Sequence, residues 1–265
     1  MKTFTGKTIW ITGASSGIGE ALAKDFAARG AILILSARNQ ENLHHVKQQL
    51  INPEKHLVLP LDLAEQSNFP ELVKQAINHT NTIDMLVNNG GISQRSLAIE
   101  TAIAVDRKIM EVDYFGAVAL TKAILPHMIK RRSGTILSIS SVAGKVGIKR
   151  RTAYCAAKHA LIGFMDALRA EIFEYGIKVC VVSPGFVRTN ISINALTGDQ
   201  SALGVMDDVI ENGMDVDVFS AIVIKALEKG QDEILIARGM ARLAYHVHRL
   251  LPNLYHALAA RSDAT

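Results

Sequence analysis

The chain has 265 residues, 49% of them hydrophobic, which is enough apolar material to bury one sizeable α/β core as a single domain. Its formal charge of +4 is mild and no block of lysine and arginine alternates with aromatic residues, so a nucleic-acid surface is excluded and small phosphate-bearing molecules are the expected anionic partner. No apolar run approaches the roughly 20 residues that span a bilayer, Met1–Gly6 leads into a strand pattern without a signal-peptide core, and Cys155 and Cys180 lack metal or redox spacing; the expectation is a cytoplasmic protein with two reduced packing cysteines.

The first apolar run, Thr8-Ile9-Trp10-Ile11, is followed by Thr12-Gly13-Ala14-Ser15-Ser16-Gly17-Ile18-Gly19 and then by the helical pattern Ala21–Ala28. A strand, a glycine-rich turn and a helix in that order predict a phosphate site. Gly13 can take a backbone angle closed to other residues, while Gly17 and Gly19 leave room for a pyrophosphate and for the helix to pack on its strand. The free N–H groups and the positive dipole end of the helix then face the anion, which makes Gly13, Ser15, Ser16, Gly17, Ile18 and Gly19 candidate dinucleotide contacts. The alternative is an ordinary tight turn.

Ala31–Ser36 is a continuous apolar run, as expected of a parallel strand covered on both faces. Its tip would lie beside the adenosine ribose of a dinucleotide, where an acid binds the 2'-hydroxyl of NAD. Here Ala37 and Arg38 occupy the tip, and the guanidinium suits the 2'-phosphate of NADP(H) unless Arg38 is a solvated residue at the entry to the next helix. A helix over 40–51 leads to a third strand, His56–Leu61, closed by Asp62 and Leu63. Both are candidate cofactor contacts, Asp62 for the adenine amino group, although Asp62 could equally cap a helix starting near Ser67. A fourth strand, Ile83–Val87, ends in Asn88-Asn89-Gly90-Gly91, where paired amides can tie strands together and Asn89 and Gly90 can let a ribose approach; a plain turn is the alternative.

Residues 102–131 carry apolar positions at helical spacing interrupted by Gly116 and Pro126, predicting two helices or one long kinked helix with Asp113 among apolar neighbours. Strand five, Gly134–Ile139, ends at Ser140-Ser141. Lys145, Lys149, Arg150 and Arg151 then form the most basic loop, expected to be solvated though suited to meeting an acidic substrate. Tyr154 and Lys158, four apart, project from one face of a helix that runs to about Tyr175. A phenol titrates near 10, and using it as a base at neutrality requires about 4 kcal/mol of preferential stabilisation of the phenolate; a nearby ammonium and an oxidised nicotinamide both act in that direction. Ser141 could donate to a substrate oxygen as charge builds there. Taken singly, Tyr154 could be packing, Lys158 a surface charge and Ser141 a cap.

Thr12-Gly13-x-x-x-Gly17-x-Gly19, Asn88-Asn89-Gly90-Gly91, Ser141, Tyr154-x-x-x-Lys158 and Pro184-Gly185, in this order and spacing, resemble the short-chain dehydrogenase/reductase family over essentially the whole chain. The segment Ser183–Thr197, with Tyr175 upstream, looks like the branch of hydroxysteroid-dehydrogenase-like and lipid-carbonyl reductases. The resemblance implies a Rossmann-type, doubly wound and mostly parallel sheet of about seven strands. It implies that Tyr154 is the general acid/base, that Lys158 favours its phenolate and holds the nicotinamide ribose, and that Ser141 orients the substrate. Pro184 and Gly185, ending strand Val179–Val182, would lie beside the nicotinamide, with Val187 and Thr189 on its carboxamide. Hydride would pass directly between cofactor and substrate carbon without a metal. Two positions depart from the pattern. Asp113 stands where the family usually has an asparagine that holds a water of the proton relay, and its charge could pair with Lys158. Gly90 stands where alanine is usual, a change expected to matter little.

Between 190 and 215 the pattern is irregular, with Leu196, Leu203, Val205 and Met206 available to face inward, which suits a lid over an apolar substrate or an ordinary surface excursion. A helix over 216–229 and strand Glu233–Ile236 complete the sheet. The tail, 239–265, sets Leu243, Val247, Leu250, Leu251, Leu254 and Leu258 among basic residues, suiting a membrane surface or, the preferred expectation, packing on its own or a neighbouring subunit. The expected protein is an NADP(H)-dependent carbonyl reductase or alcohol dehydrogenase, a homodimer or homotetramer paired through helices around Phe115 and Phe164. The rival from another class is a non-catalytic NADP-binding redox sensor. An epimerase or dehydratase is the rival among enzymes, disfavoured because no added domain for a nucleotide-sugar is present.

Overall fold

Runs rich in valine, isoleucine and leucine become seven parallel strands in the computed structural model, which describes residues 4–261: β1 (Thr8–Thr12), β2 (Ile32–Ser36), β3 (Leu57–Val58), β4 (Met85–Asn88), β5 (Gly134–Ile139), β6 (Ile177–Pro184) and β7 (Glu233–Ile236). They pair in the order β3-β2-β1-β4-β5-β6-β7. Residues 1–3 and 262–265, which the expected domain and tail include, lie outside the described residues. The helices are α1 (Gly17–Ala28), α2 (Gln40–Gln48), α3 (Phe69–Thr80), α4 (Ile103–Met110), α5 (Gly116–Arg131), α6 (Thr152–Glu171), α7 (Asp208–Glu211), α8 (Val216–Glu228), α9 (Gly239–Leu250) and α10 (Pro252–Arg261).

Alternation along each strand divides the core. Ile9, Ile11, Leu33 and Leu35 meet α1, α2 and α8 through Leu22, Phe26, Leu43, Phe219 and Val223. Trp10, Ile34, Leu86 and Ile136 point to the opposite face and meet α3, α5 and α6 through Phe69, Leu120, Ile124, Leu161 and Met165. Trp10 is fully buried, and its indole N–H donates to Ser36 Oγ at 2.8 Å, so the large ring enters the core without an orphaned donor. The strand order turns back between β2 and β4 on either side of β1, and ligands of such sheets bind beyond the carboxyl ends of the strands at that point.

Three elements differ from expectation. β3 covers only Leu57–Val58, although Leu59 N–H and Leu61 N–H beyond it still donate to Leu35 O at 3.0 Å and Ala37 O at 3.2 Å. Of the two alternatives for 102–131 the single helical stretch is found, from Ile103 to Arg131, but its irregularity is a π-helical turn, Glu111–Phe115, rather than an interruption at Gly116 or Pro126. Gly116 instead lets the helix approach the loop after β3, since a Cβ there would stand 2.5 Å from Leu63 O. The sixth helix starts at Thr152 and ends at Glu171, with a separate 3-10 turn over Phe173–Tyr175.

His56 carries a testable consequence. It is buried beside β2, where Nδ1 accepts the Leu33 N–H at 3.1 Å and Nε2 therefore donates to Ile51 O at 3.0 Å. Burial holds its pKa below the ordinary 6.5, the Ile51 bond only partly offsetting that. The neutral ring favours the folded state, so this contribution is complete above 6.5 and is lost as pH falls below it, where the unfolded chain takes up the proton first. Thermal melts from about pH 7.5 down to pH 5 should show the parent losing more stability than His56→Asn, whose amide oxygen accepts without titrating. Equal slopes would refute this role.

Candidate active site

The turn after β1 is built by close backbone packing. Gly13 sits at φ +64°, and a Cβ on it would stand 2.7 Å from Gly90 Cα. Gly19 lies beneath the turn, where a Cβ would stand 2.2 Å from Gly13 O and 2.6 Å from Asn89 Nδ2. Gly19 is therefore a packing residue under the turn and, unlike the other candidate cofactor contacts, does not line the cleft. Ser16 caps α1 in extended conformation and its side chain makes no capping bond, which leaves the first N–H groups of the helix for an anion. Thr12 Oγ1 accepts from Asn89 N–H at 3.0 Å and Gly90 N–H at 3.1 Å, while Asn89 Nδ2 donates to Thr12 O at 3.0 Å and Gly13 O at 3.2 Å. Asn88 Nδ2 donates to Thr121 Oγ1 at 2.9 Å and Ser138 Oγ at 3.4 Å. The paired amides thus tie the tip of β4 to β1 and β5. At Gly90 the space of the missing methyl is filled: a Cβ would stand 2.6 Å from Leu63 Cδ1, so alanine there requires Leu63 to move.

A cleft of about 1630 Å³ opens at the carboxyl ends of the strands. Gly13, Ser15, Ser16, Gly17, Ile18 and Arg38 line it together with Asp62, Leu63, Asn89 and Gly90. Asp113, Ser141, Tyr154, Lys158, Pro184, Gly185, Val187 and Thr189 line the same space. Arg38 is exposed at the tip of β2. Asp62 Oδ1 accepts from Ala64 N–H at 2.9 Å, so it caps the turn after β3 and not the helix beyond, which begins at Phe69. Ser141 Oγ accepts from Ala143 N–H at 3.1 Å, which fixes the oxygen and leaves its hydroxyl proton to point elsewhere.

Lys158 and its neighbours Asp113 and Tyr154 are buried. Lys158 Nζ donates to Ile139 O at 3.3 Å, meets Asp113 Oδ2 at 3.1 Å and lies 5.6 Å from the centre of the Tyr154 ring. Asp113 Oδ1 accepts from Ile92 N–H at 2.7 Å, while Oδ2 is sealed from solvent and meets the ammonium as an ion pair without hydrogen-bond alignment. Burial lowers the Lys158 pKa, but Asp113 and then Tyr154 outweigh it and the net direction is up. Burial raises Asp113 by more than Lys158 and the Ile92 N–H pull it down. Lys158 Nζ and Asp113 Oδ2 thus face each other as a buried ion pair. Ser140 Oγ donates to Lys158 O at 3.2 Å, tying α6 to the end of β5.

Several contributors carried no recognisable signal in the chain. Arg95 is buried, donates to Ser93 Oγ at 2.9 Å and to Gln94 O at 2.8 Å, and shares Asp207 Oδ2 with Arg151, each with a nitrogen at 3.0 Å. Arg151 is therefore an internal anchor of the 190–215 segment and not part of a solvated loop. Gln94 Oε1 accepts from Ala153 N–H at 2.9 Å and so fixes the first turn of α6. Of the four lid residues expected to face inward, Leu196 lines the cleft, Leu203 and Met206 line a separate smaller hollow, and Val205 is 60% exposed. Phe186 and, from the tail, Met240, Leu243, Val247 and Leu258 also line the cleft, so α9 and α10 form an apolar rim to it. The Tyr255 hydroxyl donates to Gly147 O and pins α10 across the mouth. Among the described residues no helix is long and apolar enough to cross a membrane.

A family model described as short chain dehydrogenase matches residues 7–200. A dehydrogenase/reductase SDR family protein 7-like from Drosophila melanogaster is 45% identical over 261 residues, covering 97% of this chain and 80% of its own. A solved short chain dehydrogenase/reductase from Burkholderia phymatum in complex with NAD shares the fold, with a TM-score of 0.83 at 19% identity over 100% of this chain and 99% of that one. Another from Burkholderia cenocepacia, in complex with NADP, superposes with a TM-score of 0.80 at 23% identity over 98% and 100% of the two chains.

Proposed function

Because the chain belongs to the short-chain dehydrogenase family of oxidoreductases, we propose that it interconverts a carbonyl and a secondary alcohol on a fairly apolar substrate, with NADP(H) as cofactor and Ser141, Tyr154 and Lys158 as the working side chains. The observation that carries this reading is the convergence of Tyr154, Lys158 and Ser141 on the cleft that also receives the glycine turn and the uncapped start of α1. The backbone there suits a dinucleotide, because the turn depends on the positive φ of Gly13 and Gly17, and a Cβ on Gly17 would stand 3.1 Å from Thr189 Cγ2, another residue of the cleft lining. When bound, the nicotinamide supplies or accepts the hydride. Tyr154 Oη gives its proton to the carbonyl oxygen in reduction or takes the alcohol proton in oxidation. Ser141 donates to the same oxygen as charge builds on it. Lys158, anchored on Ile139 O and Asp113, supports the proton transfer and would hold the nicotinamide ribose. The apolar rim from α9 and α10 excludes water and favours a hydrophobic substrate body.

Preference for NADP(H) rests on Arg38, an exposed cation on the cleft wall beside Ala37, with no acid at the tip of β2. A guanidinium on a 2'-phosphate contributes about 1.5–3 kcal/mol. Fluorescence titration with NADPH and NADH should show tighter NADPH binding, and Arg38→Ala should erase about 10–100-fold of that preference. An equal or stronger NADH affinity in the parent would overturn the role of Arg38. Consumption of NADPH against ketones running from small and polar to large and apolar would rank the substrates.

A further inference from the structure

We propose that Asp113 is a positioning residue that cancels the field of Lys158 at the Tyr154 hydroxyl, so that the resting site keeps its proton on the phenol and is set to donate it, in the direction of carbonyl reduction. The inference rests on the roles proposed above for Tyr154 and Lys158 and adds the direction in which the site is poised.

Three placements carry it. Lys158 and Asp113 are in contact at 3.1 Å, with side chains only 5% and 0% exposed, so the ammonium and its counter-charge share one buried volume. The carboxylate cannot swing away, because Oδ1 is held by Ile92 N–H at 2.7 Å and the π-helical turn carries Asp113 toward the glycines after β4. The space it fills is kept open by Gly91, where a Cβ would stand 2.9 Å from Asp113 Oδ2. An ammonium 5.6 Å from the Tyr154 ring acts on the phenol at full strength only when no counter-charge accompanies it. Here the counter-charge is built in.

The other charged and titratable groups around Tyr154 do not replace the lost field selectively. Arg95, from the loop after β4, interacts with Tyr154, and its charge is shared with Arg151 against Asp207. Lys108 on α4 and Lys149 before α6 line the same cleft and are exposed, where solvent screens them. Cys155 on α6 is pushed up by burial and stays a neutral thiol, and Tyr255 from α10 is also pushed up by burial and stays neutral. All of these persist when Asp113 is changed, so a comparison at position 113 isolates its charge. In the favoured direction the carbonyl carbon gains a hydride from reduced nicotinamide and the oxygen gains the Tyr154 proton. The C=O π bond is lost, a C–H and an O–H bond form, the nicotinamide leaves oxidised, and the phenolate is reprotonated from solvent.

Asp113→Asn tests this, because the amide oxygen still accepts the Ile92 N–H while the charge is gone. In the parent, alcohol oxidation with NADP should still be rising with pH at neutrality while carbonyl reduction is at its plateau. In Asp113→Asn both limbs should move down together by about 1 to 2 pH units, so oxidation at pH 7 gains about 10-fold or more. A substrate-free readout is the ultraviolet phenol titration, taken as the difference between chains with Tyr154 and with Tyr154→Phe, in the parent and in Asp113→Asn. Its midpoint should fall by the same interval. Unmoved limbs and an unmoved phenol midpoint would overturn the inference, as would oxidation already at its plateau at pH 7 in the parent. Should no carbonyl or alcohol turn over, the oxidoreductase reading fails by itself, and an unmoved phenol midpoint would still decide against Asp113. Asp113→Ser, which also removes the charge, is the second variant and should shift the midpoint in the same direction.

Discussion

Tyr154→Phe should lower NADPH-dependent turnover by about 10³-fold or more, while NADPH binding and melting temperature stay close to the parent. General acid/base groups contribute about 10²–10⁴-fold, and here the lost atom is the one that carries the proton. The ring itself is 8% exposed and packs with Ala143 and Cys155. Phenylalanine keeps those contacts and removes only the hydroxyl, so a fall in rate without a fall in stability separates proton transfer from packing. Steady-state rates at saturating carbonyl, with cofactor affinity and thermal melts measured on the same preparations, decide the matter. Undiminished turnover would remove Tyr154 from the mechanism. Tight NADPH binding with no turnover of any carbonyl in the parent would instead favour the redox-sensor alternative.

The strand segments of the parallel sheet, the glycine turn and the Tyr154–Lys158 face were readable because each rests on local rules: strand period, backbone freedom of glycine and the helical repeat. What escaped depends on contacts between distant segments. The pairing of Asp113 with Lys158 could be foreseen, but the π-helical turn over Glu111–Phe115 that carries Asp113, and its bond from Ile92 N–H, are reported by no periodicity. Arg151 looked like one of four basic loop residues, yet Asp207, 56 positions away, draws it inside beside Arg95. The tail pattern indicated apolar packing on its own or a neighbouring subunit, but not that the segment divides into α9 and α10 or that it borders the cleft. Its apolar positions spread over the rim of the cleft, with Met240 at 74% and Leu258 at 52% exposure even so.

Gly19→Ala should be the most disruptive single-methyl change in the cofactor half, lowering stability by about 1–3 kcal/mol or more and NADPH affinity by at least about 10-fold. The added Cβ would stand 2.2 Å from Gly13 O, 2.8 Å from Gly13 C and 2.6 Å from Asn89 Nδ2. Two of those three atoms are backbone, and the third is an amide already held by Thr12 O and Gly13 O, so no flexible side-chain end can yield. Relief requires lifting the start of α1 away from the turn, and that movement displaces the N–H groups proposed to receive the pyrophosphate. Gly90→Ala is the matched control, because its Cβ would meet Leu63 Cδ1, the mobile end of a leucine, at 2.6 Å and Gly13 N only at 3.4 Å. Thermal melts and NADPH titrations of the two variants should differ sharply, with Gly19→Ala impaired in both and Gly90→Ala near the parent. Equal behaviour would mean that the turn and helix are not packed as tightly as these distances require.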